Sequence, residues 1–298
     1  MSVTPDQAAL RPAGGEREFA FTRRDFHQIS TMLHADAGIS LSDMKAPLVY
    51  SRLVRRLRAL GLESFRQYCA LIARREGADE RRQMMAALTT NVTRFLREPH
   101  HFEHLKAKVL PPLLARARKG GRVRIWSAGC STGEEPYSIA LTILSLAPDA
   151  ASLDIRILAT DINALVVEQG RRGVYPAEAL APLSREMRAH WLASRRLADA
   201  GKLFRAGEDL RRMVAFREMN LMDPWPMKQA YDAIFCRNVV IYFEPQARAP
   251  IWNRMAGLLA RDGCLYIGHS ERLDGADSRL HPDGLTTYRL AAAPGSAS

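Results

Sequence analysis

The sequence is poor in cysteine, in lysine and in long apolar runs, and each scarcity excludes something. Its 298 residues include 4 cysteines, Cys69, Cys130, Cys236 and Cys264, with no C-x-x-C pair among them. Neither a disulfide framework nor a zinc site is indicated, and reduced thiols suit the cytoplasm. No apolar run approaches the ~20 residues that cross a bilayer. The first residues (MSVTPDQAALRPAGGERE) mix charges of both signs and read as neither a signal peptide nor an anchor. A cytoplasmic protein without direct membrane insertion is therefore expected.

Acid is the minority charge. Lys+Arg number 43 against 32 Asp+Glu, a net charge of +11. Of these, 21 basic and 12 acidic residues fall in residues 1–120, leaving a near balance of 22 to 20 beyond. A basic excess held by one region points to an acidic partner met by that region, such as nucleic acid, a membrane surface or an acidic protein segment. Arginine supplies 37 of the 43, which keeps the surface charged at any physiological pH without identifying the partner. The hydrophobic share of 47% with 25% charged residues is that of a folded chain. The length divides into about two domains of ~150 residues.

The organisation follows from periodicity. Residues 1–18 and 292–298 read as polar or small-residue disordered tails. Between 19 and 90 apolar residues recur at helical spacing, as in Phe65, Tyr68, Cys69 and Ile72, then Met84, Met85 and Leu88, and no strand pattern is present. A linker and helix occupy 91–120, with the helical part near 99–118. From 121 to 291 short β-rich runs alternate with helical stretches: Val123–Trp126, Ile155–Thr160, Met213–Arg217, Ala233–Cys236, Leu265–Ile267 and Thr286–Leu290. That alternation argues for a parallel, helix-covered sheet. The stretch 172–218 is too long for a connection and reads as an insertion with its own elements, including a helix near 184–192.

The first strand of the sheet domain runs into a small-residue turn, Ser127–Gly133, and then a helix starting near Glu134. Such a turn lets a ligand approach the backbone at the C-terminal edge of a parallel sheet. The Lys-Ser/Thr ending of a P-loop is missing, and Glu134 and Glu135 would repel a phosphate and attract a cation. Thr132 and Glu135 also match the S/T-x-x-E pattern of a capping box, so capping and ligand binding both remain open. Asp161 ends the second strand, where an acid can accept two ribose hydroxyls or cap the next helix. Together the turn and the acid favour an adenosine ligand carrying positive charge, and S-adenosylmethionine fits.

NVTRFLRE (91–98), GCSTGEEPYSIAL (129–141), ATDIN (159–163), NL (220–221), YDAIFCRNVVIYF (231–243) and GHSE (268–271) together resemble the chemoreceptor glutamate methyltransferase family of the CheR type. The resemblance spans about 22–290. It implies an α/β fold: an all-helical N-terminal domain plus a Rossmann-like S-adenosylmethionine-dependent methyltransferase domain with a small antiparallel β-subdomain inserted. Position by position, it places Asn91, Thr93, Arg97, Glu135, Asp161, Asn220, Leu221, Arg237 and Asn238 around the cofactor, with Arg97 and Tyr242 as catalytic residues near the transferred methyl. No metal is expected. Each residue has a plainer alternative: Asn91 and Thr93 as helix caps, Asn220 as a turn residue, Tyr242 as an aromatic packed on the sheet edge. Arg237 follows the run Ala-Ile-Phe-Cys and would sit at a strand end beneath a ligand, where an unpaired charge is costly.

A glutamate side chain is already an anion at neutral pH, so it attacks a methyl group without a general base. Charge is annihilated in that displacement, and a water-poor site that aligns the pair accelerates it. From Lys45 to Arg58 no acid occurs. Val49, Leu53, Leu57 and Leu60 form an apolar stripe, while Arg52, Arg55, Arg56 and Arg58 lie largely off it. These four arginines are either a solvated face or a surface for the glutamate-rich methylation helices of chemoreceptors, which the family's N-terminal domain approaches. The inserted subdomain docks a receptor tether in some family members; here SRRLADAG (194–201) lacks their Gly-rich turn. A monomer is expected. A nucleic-acid methyltransferase is the competing reading, against which the chain has no N-P-P-[YF] or Pro-Cys motif, so no nucleic-acid partner is expected. A third is a non-catalytic cofactor-sensing scaffold.

Overall fold

The computed structural model describes residues 18–192 and 203–291, which form two compact units. The tails read as disordered fall outside the described residues, apart from Glu18, and so does the 194–201 loop.

The first unit is helical: α1 (Arg23–Ala37), α2 (Ala46–Leu60), α3 (Phe65–Ile72) and α4 (Ala78–Leu88). Thr22 and Asp25 close a capping box at the start of α1, and Gly38 and Gly61 end α1 and α2 in the left-handed conformation that favours glycine. Val49, Leu53 and Leu57 of α2 are buried with Phe65, Tyr68, Ile72, Met84 and Leu88, so the helical spacing read in the sequence faces one core. Leu60, placed on the same stripe, is 38% exposed, because the helix stops at the next residue. Tyr242–Glu244 also belong to this unit.

The second unit is built on a seven-stranded sheet. Its strands are β1 (Val123–Ala128), β2 (Ile155–Asp161), β5 (Val214–Glu218), β6 (Tyr231–Cys236), β7 (Leu259–Ile267), β8 (Leu280–Gly284) and β9 (Thr287–Leu290), in the order β5-β2-β1-β6-β7-β9-β8. β5, β2, β1, β6 and β7 pair in parallel, whereas β7–β9 and β9–β8 are antiparallel. The sheet read as parallel is thus parallel over these five strands, and an antiparallel hairpin completes one edge. Helices α5 (Pro99–His104) and α6 (Leu110–Arg118) are joined through a π-turn at Leu105–Val109. Of the helices between strands, α7 (Glu134–Leu146) follows β1 and is buried almost throughout, α8 (Ala164–Arg172) follows β2, and α11 (Pro245–Leu258) precedes β7.

The region read as an insertion holds a two-stranded antiparallel sheet, β3 (Val174–Pro176) with β4 (Leu203–Arg205), and α9 (Arg185–Leu192). Its end differs from the sequence reading. After α10 (Glu208–Met213) the chain enters β5, which pairs with β2 and is the edge strand of the large sheet. The apolar Val214 and Phe216 are buried there, which makes residues 214–218 part of the central layer.

Candidate functional site

The C-terminal ends of β1, β2 and β6 converge on the turn Gly129–Gly133. The N–H groups of Gly129 and Cys130 both donate to the Thr160 carbonyl at 2.8 Å, tying the turn to the end of β2. Gly129 has φ +77°, and a Cβ there would lie 2.2 Å from Val239 Cγ2, so both backbone and space demand glycine. Ser131 donates its N–H to Asp161 Oδ2 at 2.9 Å and its hydroxyl to the Asn91 carbonyl at 3.0 Å. Non-glycine residues in the left-handed region gather here: Leu96, Glu98, Ser131 and Asn238. Such backbone persists only where the surroundings enforce it and clusters at functional sites.

Both alternatives to ligand binding at the turn are answered by the caps themselves. Gly133, not Thr132, is the N-cap of α7, and Thr132 Oγ1 donates to Glu134 Oε2 at 2.6 Å. Glu135 instead accepts from Ser127 Oγ at 2.7 Å and Arg237 Nη1 at 3.2 Å, so no capping box forms. The cap of α8 is Asn163, which frees Asp161 from that duty. Asp161 is buried with Oδ1 on the Asn163 N–H and Oδ2 on the Ser131 N–H. A carboxylate has about four acceptor sites, so capacity for further donors remains. Burial raises the pKa of Asp161 against the opposing effect of these N–H groups. Burial also raises that of Glu135, opposed chiefly by Arg237.

Arg237 does end a strand, but its charge is met within the protein. Its Nη2 lies 3.3 Å from Glu98 Oε2, its Nη1 pairs with Glu135, and it donates to the Arg97 carbonyl. Arg237 thereby clamps the segment 97–98 to the first turn of α7. Glu98 was not singled out in the sequence, although it closes the NVTRFLRE run. Burial pushes its pKa up, but Arg237 and His269 outweigh that and hold it below the ordinary value. His101 beside it is fully buried and donates or accepts at Thr286 Oγ1, 2.8 Å away. Burial, Arg237 and His100 bring its pKa down to about 3. Glu98, His100 and His101 each bring a ligand-type atom within 4.8 Å of the others, with the charge of Glu98 already balanced by Arg237.

The remaining predicted residues fall as follows. Asn91 and Thr93 cap no helix, since α5 begins at Pro99 with Glu98 as its N-cap. Arg97 is half-buried, donates to the Val92 carbonyl at 3.0 Å and pairs with no carboxylate among the described residues. Asn220 does serve a turn, its Oδ1 accepting the Met222 N–H at 3.0 Å, and Leu221 is buried beside it with its carbonyl taken by Arg254 and Trp225. Asn238 is half-buried in the left-handed region. Tyr242 is placed with the helical unit, where its carbonyl accepts the Ser40 N–H at 3.1 Å. The thiols of Cys130 and Cys236 are pushed well up by burial, so neither is a ready nucleophile.

The four arginines read as a substrate surface divide. Arg56 forms a two-pronged pair with Glu80, at 3.0 and 2.5 Å, and Glu80 is buried and also accepts from Tyr68. Arg52 donates to the carbonyls of Leu88 and Thr89, closing the C-terminus of α4. Arg58 pairs with Glu18 at the exposed surface. Only Arg55 of the four is exposed and without a partner among the described residues. Arg52 and Arg56 are thus held by acceptors that α4 and the residues just after it supply.

Comparison with known proteins fits these features. The family described as "CheR methyltransferase, SAM binding domain" matches residues 91–289, and "CheR methyltransferase, all-alpha domain" matches 24–89. A "Probable chemotaxis protein methyltransferase" of Rhizobium etli is 52% identical over 259 residues, 87% of this chain and 96% of that protein. "Chemotaxis protein methyltransferase 2" of Pseudomonas aeruginosa is 42% identical, across 94% of this chain and 98% of its own. The "Chemotaxis protein methyltransferase" of Escherichia coli is 38% identical, across 91% and 92%. With a helical unit ahead of a cofactor-binding sheet and both parts matched, this chain belongs to the CheR methyltransferase family and is a chemotaxis methyltransferase with an S-adenosylmethionine-binding domain.

Proposed function

We propose that this protein methylates glutamate side chains of chemoreceptors. The observation that carries the reading furthest is the match of both units to the family; burial also raises the Cys130 and Cys236 thiols and brings His101 down to about 3, so none of these three is a ready base or nucleophile at neutral pH. An acceptor that arrives already ionised needs no base from the protein, and a carboxylate is such an acceptor. When bound, S-adenosylmethionine supplies a sulfonium-activated methyl, and transfer to a carboxylate leaves a neutral ester and a neutral thioether.

The residues present fit that group. Asp161 retains acceptor capacity for the ribose hydroxyls, the Gly129 turn permits close approach, and Glu134 and Glu135 bias the N-terminus of α7 toward a cation. The Asn91 carbonyl on Ser131, Asn220 and Leu221 just beyond β5 and Asn238 just beyond β6 support the cofactor role that the family pattern gives to them and to Thr93. Arg97, without a carboxylate partner among the described residues, holds the substrate carboxylate or the cofactor's own, and Tyr242 orients the attacking oxygen. On the helical unit the receptor helices are met by Arg55, with Arg58 joining when its solvent-exposed pair to Glu18 opens.

Incubation with S-adenosylmethionine labelled on its methyl group and receptor-containing membranes, followed by mild base, tests the proposal. Volatile labelled methanol is the expected product. Label transferred only in a base-stable form, or transferred to nucleic acid, would overturn it.

A further inference from the structure

Glu271 closes the GHSE segment after β7, and no cofactor or catalytic assignment above includes it. The residue is 3% exposed, and its carboxylate forms no ion pair with any described residue. It is instead surrounded by backbone donors: Oε2 accepts the N–H groups of Gly268 at 2.6 Å and Asn238 at 2.9 Å, and Oε1 accepts those of Val239 at 2.9 Å and Val240 at 2.8 Å. A buried anion is tolerated when hydrogen bonds to its charged form replace water. These four donors do so.

The placement explains why the anion is there. β6 and β7 are paired up to Cys236 and Ile267, and the carboxylate joins the two loops just beyond, where the ladder has stopped. The loop from β6 carries Arg237 and Asn238, and Asn238 holds φ 59°, a conformation that costs free energy unless its surroundings impose it. Gly268 leaves room for that loop: a Cβ on it would lie 2.5 Å from Asn238 Nδ2 and 2.9 Å from Glu271 Oε2. We propose that Glu271 is a positioning residue for the cofactor site, fixing the 237–240 loop so that Asn238 and the Arg237 clamp are held in binding geometry before the cofactor arrives. This rests on the reading that Arg237 and Asn238 border the S-adenosylmethionine site.

Glu271→Gln is the informative change. Two donors meet each oxygen, so whichever way the amide is turned its NH2 faces two N–H groups and the loop must move. Calorimetric titration of the full-length protein with S-adenosylhomocysteine is expected to show a Kd raised tenfold or more. The KM for S-adenosylmethionine should rise in parallel, and Glu271→Asp, which keeps the charge but withdraws it by one methylene, should fall between. A merely structural role would lower the unfolding temperature while leaving the Kd of the folded protein unchanged. Binding by Glu271→Gln within twofold of the wild type overturns the proposal. If that variant does not fold, Glu271→Asp decides: a loss of threefold or more supports the role, and unchanged affinity overturns it. Failure of the wild type itself to bind S-adenosylhomocysteine would instead overturn the cofactor reading, and this role with it.

Discussion

Arg55 and Arg56 are adjacent, identical in chemistry and both on α2, yet they do different things. The guanidinium of Arg56 lies on Glu80, which is buried and also bonded to Tyr68, while that of Arg55 points to solvent. Removing one partner of a partly buried pair leaves the other charge short of a partner, at a cost of about 1–3 kcal/mol. Arg56→Ala should therefore lower the unfolding free energy in urea by about 1–3 kcal/mol, most of it from stranded Glu80. Arg55→Glu should change stability by less than about 0.5 kcal/mol. It should raise the KM for receptor several-fold with S-adenosylhomocysteine affinity unchanged. Loss of cofactor affinity in Arg55→Glu would contradict that division. The acid-free run marked the region as basic, but which arginine is spent inside depends on α4, more than twenty residues further along. Arg237 teaches the same point: its position at a strand end was legible, whereas its partners Glu98 and Glu135 come from elements separated by over a hundred residues and only the fold brings them to it.

Among the elements, the β1–α7 connection carries the greatest local constraint. Ala at position 129 would have to hold φ +77° and place its methyl 2.2 Å from Val239 Cγ2. Val239 donates its N–H to Glu271 and cannot withdraw freely. Gly129→Ala should thus destabilise the sheet unit by roughly 1–3 kcal/mol and weaken S-adenosylhomocysteine binding by tenfold or more, read by thermal unfolding and titration. Unchanged binding would show that the turn tolerates displacement. Strand legibility followed burial. β1, β2, β5, β6, β7 and β9 announced themselves through apolar runs, because both faces of the sheet are covered. β8, with the sequence Leu-His-Pro-Asp-Gly, reads as a turn; it is an edge strand, where Pro is tolerated and apolar content is not required. The capping-box match at Thr132 and Glu135 stayed open for a related reason: a four-residue pattern does not register that Ser127 and Arg237 take the two oxygens of the same carboxylate.

At the scale of the whole molecule, the buried charge around α5 shapes the response to acid. His101 is fully buried with its pKa brought from 6.5 to about 3, and burial also lowers that of His104 despite Asp283. In the unfolded chain both take up a proton near pH 6.5, while the folded protein resists it, so the unfolded state binds more protons as the pH falls. Stability is therefore intact above pH 6.5 and is lost progressively as the pH drops toward 3. His101 alone contributes a slope of up to about 1.4 kcal/mol per pH unit. Glu98, held below its ordinary value, adds to this loss at lower pH, whereas Glu134, Glu135 and Asp161, raised by burial, oppose it in the carboxylate range. The histidine contribution from pH 6.5 to about 5 is isolated by removing the imidazole. Urea unfolding of the wild type across that interval should show falling stability, and His101→Asn, which keeps a polar group of similar reach without the titration, should flatten the fall. Equal slopes in the two proteins would mean that the imidazole is protonated in the fold, with its charge shared by Glu98. In that event the Glu98–Arg237 pair would be competing for the same carboxylate at mild acid pH, and S-adenosylhomocysteine affinity, which depends on that clamp, should weaken over the same interval.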